Sequence, residues 1–365
     1  MKLSAAEQKK LTPHLQRTVS AIEEILTSGL TTANEATYQT FAVTFQEASR
    51  MKLLRLGSTL RSTHEEISRY VKDDPRFSQT RLMFFLNRSW LLCRGIQRAV
   101  AEKDAESLDQ LLWVAPTKKV KKLSVVCLGV VKKIAAGTFC AFDFRLRSLK
   151  DGSPLTWSTV FPMKAGAEIP AEGYLHLPQK QKFTANIFLE GQVLEITDAM
   201  VAQSSGASRI QLTDDSKVNL GDTYADWDTH LKWDVTRAVE RIRQHQVSPF
   251  DVEVELQEDA VFTNFTLGKP TRDEERSRQV YPLQFRQQEF DVTVSTTVEG
   301  KSAIEKLKAE VKKKAHSPLF GLLHYASCRM VVQPLTIFGE GKPQYITISE
   351  KSVDRRALLS ALKFT

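Results

Sequence analysis

The side chains of this 365-residue chain that could do chemistry are mostly cations. Residues 117–133 carry six lysines, Lys118, Lys119, Lys121, Lys122, Lys132 and Lys133, and no acid. Ammonium groups at that density attract phosphate oxygens, because each contact releases a condensed counterion. A solvated surface carries the same pattern. Just downstream, Cys140, Phe142, Phe144 and Leu146 alternate with Ala141, Asp143, Arg145 and Arg147. That two-residue period predicts a strand with one buried face and one charged face. Arg145 and Arg147 would then track a nucleic-acid backbone, while Phe139, Trp157 and Phe161 offer rings on which bases stack. The alternative puts all three rings in a core and leaves Arg145 and Arg147 as solvated partners of Asp143. A second cationic segment, 301–315, reads as a helix with a narrow stripe of Ile304, Leu307 and Val311. Lys306, Lys308, Lys312, Lys313 and Lys314 would face solvent or phosphate. The stripe lacks the bulky rings of a membrane-surface helix, so no membrane partner is expected.

Other chemistry is absent as a pattern. The sequence holds no phosphate-binding loop ending in Gly-Lys-Ser/Thr, no dinucleotide-binding glycine motif, no nucleophile elbow and no metalloprotease His-Glu motif. The seven histidines are isolated, and Cys93, Cys127, Cys140 and Cys328 never stand at zinc-knuckle spacing. No metal and no cofactor are therefore expected, and the cysteines read as buried reduced thiols in a cytoplasmic protein. Asp73-Asp74 and Asp214-Asp215 fall in turn-like contexts that suit backbone capping. The N-terminus has no apolar signal core, and no apolar run approaches the length of a membrane span.

Three registers position these side chains. Residues 1–115 are helical in pattern, with breaks at 29–32 and 72–75, and predict a bundle of four or five helices. Thr31 and Thr32 are candidate caps there. Residues 116–225 turn strand-like, with a long loop over 151–182 and two strands within 183–197 hinged at Glu190-Gly191. Residues 226–365 mix both: one amphipathic helix over 226–245, strands near 252–256, 262–267, 290–298, 329–338 and 344–348, the basic helix, and a closing helix at 353–363. Ser317–Tyr325 and Val331–Leu335 suggest a further strand pair, with His324 as either polar-tipped core or a site residue. No internal repeat is apparent. The fold class is multi-domain α+β: helical bundle, central β-barrel-like domain, C-terminal α+β domain. The middle part resembles a small five-stranded OB-type barrel, a class that grips single-stranded nucleic acids or oligosaccharides.

The segment Ala48-Ser49-Arg50-Met51-Lys52-Leu53-Leu54-Arg55-Leu56-Gly57, with Leu60-Arg61 and Arg88-Ser89-Trp90-Leu91-Leu92-Cys93-Arg94, resembles the helical region of bacterial proteins encoded beside MoxR-type AAA+ ATPases and von Willebrand-A proteins, often with a SWIM zinc finger. The SWIM zinc ligands have no counterpart here. The resemblance implies an accessory subunit of an ATPase-linked bacterial system, in defence or stress, and no catalytic residue. The leading expectation is accordingly a non-enzymatic binding or assembly subunit with protein partners, an AAA+ ATPase among them. The alternative is a DNA- or RNA-binding protein using the barrel and the lysines named above. An enzyme with a site assembled from distant residues is the third reading.

Overall fold

Asn34 starts the second helix of the chain by accepting hydrogen bonds from the Ala36 and Thr37 amides at 3.0 and 3.2 Å, while the Thr37 hydroxyl accepts from the Asn34 amide. This reciprocal cap satisfies donors that a helix start leaves open. It lies just beyond the threonines that sequence alone offers as caps. The computed structural model describes residues 5–75, 77–112, 117–135, 139–163, 170–202, 207–245, 256–326, 328–339 and 342–349. The architecture is mixed α+β, with helices first and two β-sheets after them. The described residues form two compact units, one helical over 5–112 and one β-rich over the remainder.

The helical unit comprises α1 (Ala5–Ser28), α2 (Glu35–Arg50), α3 (Leu54–Val71), α4 (Gln79–Ala101) and α5 (Ala105–Leu111). Leu15, Ile22, Phe41, Leu60, Leu86 and Leu92 share its core. The three-to-four spacing of Ala42, Phe45, Ser49, Lys52, Leu53, Leu56 and Leu60 runs on unbroken in the sequence, yet the chain turns between α2 and α3. Lys52 takes a left-handed conformation there (φ 60°) with no glycine or proline to mark the break. Buried Glu66 ties α3 to the start of α4. It accepts from the Ser78 amide at 3.1 Å and from Arg81 Nε at 2.9 Å, and it pairs with Arg69.

The β-rich unit opens with β1 (Thr117–Ala135), followed by β2 (Phe139–Ser148), β3 (Pro154–Pro162), β4 (Gln192–Ala202), β5 (Ser208–Gln211) and β6 (Lys217–Thr223). The first half of β1 pairs antiparallel with β4 and its second half with β2, with a register shift between Cys127 and Gly129. β2 continues to β3, β3 runs parallel to β5, and β5 returns to β4. The pairing order therefore leads from β1 back to β1. Strand β3 occupies part of the stretch expected as a long loop. The expected strand before Glu190 is instead a 3-10 turn over Ala185–Leu189, and Gly191 (φ 68°) makes the corner into β4.

After α6 (Asp228–Leu231) and α7 (Val235–Gln244) comes a second sheet: β7 (Glu258–Phe262), β8 (Thr266–Leu267), β9 (Thr271–Asp273), β10 (Arg278–Phe285), β11 (Gln288–Ser295), helix α8 (Lys301–Val311), β12 (Leu319–Ala326), β13 (Arg329–Gly339) and β14 (Lys342–Tyr345). The single helix expected over 226–245 is broken at 232–234, because the Asp234 side chain caps a new start by accepting from the Arg237 amide at 3.1 Å. Most of the strand expected over 252–256 and the closing helix at 353–363 lie outside the described residues. β7 and β8 are one stretch of chain interrupted at 263–265. One end pairs with β12 and the other with β10, while β11 runs parallel to β13. The first sheet thus has a topological repeat that the sequence did not announce.

The two sheets meet along β1. Val126, Leu128 and Val131 pack with Trp227, Val261, Phe320, Leu322, Leu335 and Phe338. Gly129 stands in this seam, and a Cβ built there would meet the Phe320 ring at 2.7 Å and Leu335 at 3.0 Å. Tyr345 Oη donates to the Cys127 carbonyl at 2.9 Å and Thr347 Oγ1 to the Val130 carbonyl at 2.7 Å. These bonds satisfy carbonyls that the register shift would otherwise leave open.

Candidate nucleic-acid interface

Strand β1 presents its first four lysines to solvent, but not as four free charges. Lys122 Nζ lies 2.8 Å from Glu195, which also accepts from Ser124 Oγ at 2.7 Å. The Lys122 hydrogen bond is the main reason the Glu195 carboxyl sits below its ordinary range. Lys119 lies 3.6 Å from Asp198. Lys118 and Lys121 have no ion-pair partner among the described residues. Farther along, Lys133 pairs with Asp143 at 2.8 Å on the outer face of β1 and β2. Lys132 is turned inward and nearly buried, 2.6 Å from Glu172. At the end of α8, Lys313 pairs with buried Glu310 at 2.6 Å, whereas Lys308 on the helix and Lys312 just past it are exposed with no such partner among the described residues.

Four of the proposed contacts, Trp157, Phe161, Arg147 and Arg145, are structural instead. Trp157 is 5% exposed, and its ring stacks on Phe188 and Phe144 at centroid distances of 4.6 and 5.3 Å inside the first sheet's core. Phe161 is buried beside Phe142 and Tyr174, while Phe139 alone of the three rings keeps an exposed edge. Arg147 is 2% exposed. Its Nη2 lies 3.4 Å from Asp259 on β7, Nη1 donates to the Gly152 carbonyl at 3.2 Å, and the guanidinium covers Trp233 at 4.1 Å. Arg145 approaches the other Asp259 oxygen at 3.9 Å. The alternation along β2 is as expected, but its charged face is covered by the second sheet rather than by water. Burial pushes the Asp259 carboxyl up, and the two arginines pull against it.

The seam between the sheets opens into a groove of about 690 Å³ where Lys132 meets Glu172, Glu299, Lys301, Glu305 and Lys306. It brings one of the β1 lysines to the start of α8, yet its acids balance its lysines. A second groove, of about 710 Å³, lies beside the C-terminal end of α7 and the β12–β13 hairpin. Arg243, Glu289, Asp291, Tyr325 and Arg329 line it. Tyr325 is half-exposed, and Arg329 Nη1 reaches Asp291 at 3.4 Å. None of these residues stood out in the sequence as a ligand contact. The aromatic run ending at Tyr325 was the available signal, but the carboxylates and arginines come from three other elements. Among the described residues, no three histidine, cysteine or acidic side chains converge as metal ligands, and no helix is long and apolar enough to cross a membrane.

No family model matches the chain, and no curated protein is significantly similar to it. Solved structures do overlap with it. The p204 HINb domain aligns at 10% identity and a TM-score of 0.29, over 60% of this chain and 94% of its own. A murine DNA-binding protein bound to double-stranded DNA aligns at 11% identity and 0.25, over 64% of this chain and 100% of its own. A replication protein A heterotrimer bound to single-stranded DNA aligns at 11% and 0.24, over 68% of this chain and 52% of its own. Overlaps this shallow carry no conclusion about fold or function.

Proposed function

We propose that this protein binds nucleic acid through two successive OB-type barrels. The observation that carries the reading is the strand order, present twice: a long first element divides its pairing between the second and fourth strands, and the third and fifth strands run parallel. A five-stranded barrel with this order offers the face of its second and third strands, and the loops beside them, to oligonucleotides or oligosaccharides. Exposed Lys118 and Lys121 on β1, with Lys308 on α8 and Lys312 just past its end, favour a polyanion over a neutral sugar. Backbone neutralisation by lysines is salt-sensitive. Four such contacts to a single strand give a log–log salt slope of about −3.

The test is fluorescence anisotropy of the full chain with labelled single- and double-stranded DNA and RNA across roughly 50–200 mM salt. Affinity should fall steeply over that range. Absence of binding at the lowest salt would end the proposal.

A second reading, a subunit that docks another protein such as an AAA+ ATPase, is favoured by the helical unit. Neighbouring Met83 and Phe84 on α4 are 46% and 38% exposed, and Val43 and Leu54 are each 50% exposed. This reading expects Met83→Ser with Phe84→Ser to abolish capture of such a partner while leaving nucleic-acid binding intact. Retained capture by the folded double variant would sink it.

A further inference from the structure

The strand registers gather cations on one outer face of the first sheet. Lys122 on β1 and Lys217 on β6 stand on either side of Thr197 on β4, and Ser124 and Asn219 flank Glu195 two residues along. Ile196 and Val218, between these two rows, pack in the core, so both rows point outward. Farther along β4, Met200 stands between Lys119 on β1 and Gln211 on β5. Val201 and Ile210 in the next row pack in the core, so Lys119, Gln211 and Arg209 share the outer face. Strands lie about 4.8 Å apart and residues rise about 3.4 Å, which puts Lys122 about 10 Å from both Lys217 and Lys119 at the backbone. Exposed Lys121 lies between Lys119 and Lys122, and neither it nor exposed Lys217 has an ion-pair partner among the described residues. Glu195 lies against Lys122, and Asp198 is 3.6 Å from Lys119. In the turn before β6, Asp214 is held by Lys180 at 2.6 Å and Asp215 is exposed. None of the side chains in these outward rows is aromatic.

We propose that this outer face of β1, β4, β5 and β6 holds the phosphate backbones of a nucleic-acid duplex without reading its sequence. The inference rests on the nucleic-acid reading above and puts the contact surface away from β2 and β3. On that other side the second sheet covers Arg145 and Arg147, and Asp143 neutralises Lys133. Here Lys119, Lys121, Lys122, Arg209 and Lys217 outnumber Glu195, Asp198 and Asp215. The missing rings decide between duplex and single strand. A single strand is gripped by stacking its bases on aromatic side chains, whereas a duplex has its bases already stacked and needs only cations along its phosphates. A spacing of about 10 Å also lies between the widths of the minor and major grooves, about 6 and 12 Å, so neighbouring lysines can meet phosphates on both edges of a groove.

The experiment titrates the full chain against a labelled DNA duplex and against one of its strands alone, across the same salt range. Wild type should prefer the duplex by about tenfold, the difference that slopes of about 0.9 and 0.7 per contact make for five contacts at roughly 0.1 M salt. Duplexes of unrelated sequence should bind alike. Lys217→Ser with Arg209→Ser should make the duplex slope shallower by about 1.8. Asp198→Asn should instead tighten duplex binding by about two- to fivefold, because it frees Lys119 from an exposed pair. Asparagine tolerates the left-handed backbone there (φ 52°), and it is the Asp198 carbonyl, not the carboxylate, that accepts from Thr213 and Ser216, so the fold is kept. Val160→Glu puts a negative charge on the outer face of β3, where the side chain is 62% exposed opposite Ala141, and should leave affinity unchanged. Binding that weakens with Val160→Glu and ignores both Asp198→Asn and the double serine variant would overturn this inference and leave the nucleic-acid reading standing. A clear preference for the single strand would do the same. Failure of every oligonucleotide to bind would overturn both.

Discussion

Replacing Arg147 with methionine distinguishes an arginine that holds the two sheets together from one that touches a ligand. Its guanidinium is buried, bonded to the Gly152 carbonyl, 3.4 Å from Asp259 and 4.1 Å above the Trp233 ring. Removing one partner of a buried ion pair costs about 3–5 kcal/mol, because the surviving charge is stranded in a medium of low dielectric. Arg145 is still 3.9 Å from the other Asp259 oxygen and partly neutralises it. Methionine also refills much of the lost volume. The expected loss is therefore about 2–4 kcal/mol, toward the lower side of the general range. In a unit of more than two hundred residues, that corresponds to a melting temperature lower by about 4–16 °C. Urea titration followed by tryptophan fluorescence reads the loss directly, with Trp233 in contact with the altered site. The affinity of the folded variant for an oligonucleotide should stay within about twofold, since a charge that never reaches solvent releases no counterion. Joint replacement, Arg147→Met with Asp259→Leu, should recover most of the stability, because the stranded carboxylate is then gone. An unchanged midpoint together with a large drop in affinity would refute the reasoning and return Arg147 to the binding surface.

Gly129→Ala should cost about 1–3 kcal/mol, since the added methyl meets Phe320 and Leu335 in the seam. Phe320→Leu introduced with it should cost less than the two single changes added together, and strict additivity in chemical denaturation would argue against the contact. Trp157→Ala should destabilise by about 3–5 kcal/mol through the cavity left among Phe144, Phe183 and Phe188, with a matching fall in thermal midpoint. His14, His64 and His230 are all held below the ordinary histidine value, burial being the main cause. Their folded values lie under their unfolded ones, so their contribution is complete above about pH 6.5 and is lost as pH falls through the folded values. The urea midpoint should therefore drop between about pH 7 and pH 5.5, and His230→Gln, which ends the contact with Tyr224, should flatten part of that slope. Lys308→Ser with Lys312→Ser should leave the melting temperature unchanged. If both lysines meet phosphates of a single strand, the salt slope should become shallower by about 1.4.

Local features were legible in the sequence and long-range ones were not. The β2 alternation is set by residues two apart and reads correctly as a strand with Phe142, Phe144 and Leu146 inward. What covers its other face comes from Asp259, 112 residues away, and no local pattern foretells it. The α2–α3 turn escaped for a related reason: Lys52 adopts a positive φ because packing demands it, and lysine is no turn signal. The groove lined by Arg243, Glu289, Asp291, Tyr325 and Arg329 is likewise assembled by pairings between β11, β12 and β13 and by the end of α7. In sequence, Glu289 and Tyr325 are an exposed acid and a strand-end ring among many.

The positive charge is decided by the same geometry. Lysines and arginines outnumber acids by eight overall, yet most of the cations singled out by clustering are spent within the fold. Arg147, Arg145 and Lys132 serve contacts that are buried or nearly so, and Lys119, Lys122, Lys133 and Lys313 face nearby carboxylates. Lys118, Lys121, Lys306, Lys308, Lys312 and Lys314 are left exposed, on β1 and along and just past α8. Six cations spread over two segments are enough for salt-dependent attraction but cannot choose a sequence, because phosphate contacts position a strand without identifying its bases. Discrimination would have to come from a site with little net charge and both kinds of hydrogen-bonding group. Loss of affinity on removing the lysines should therefore proceed without a change in base preference.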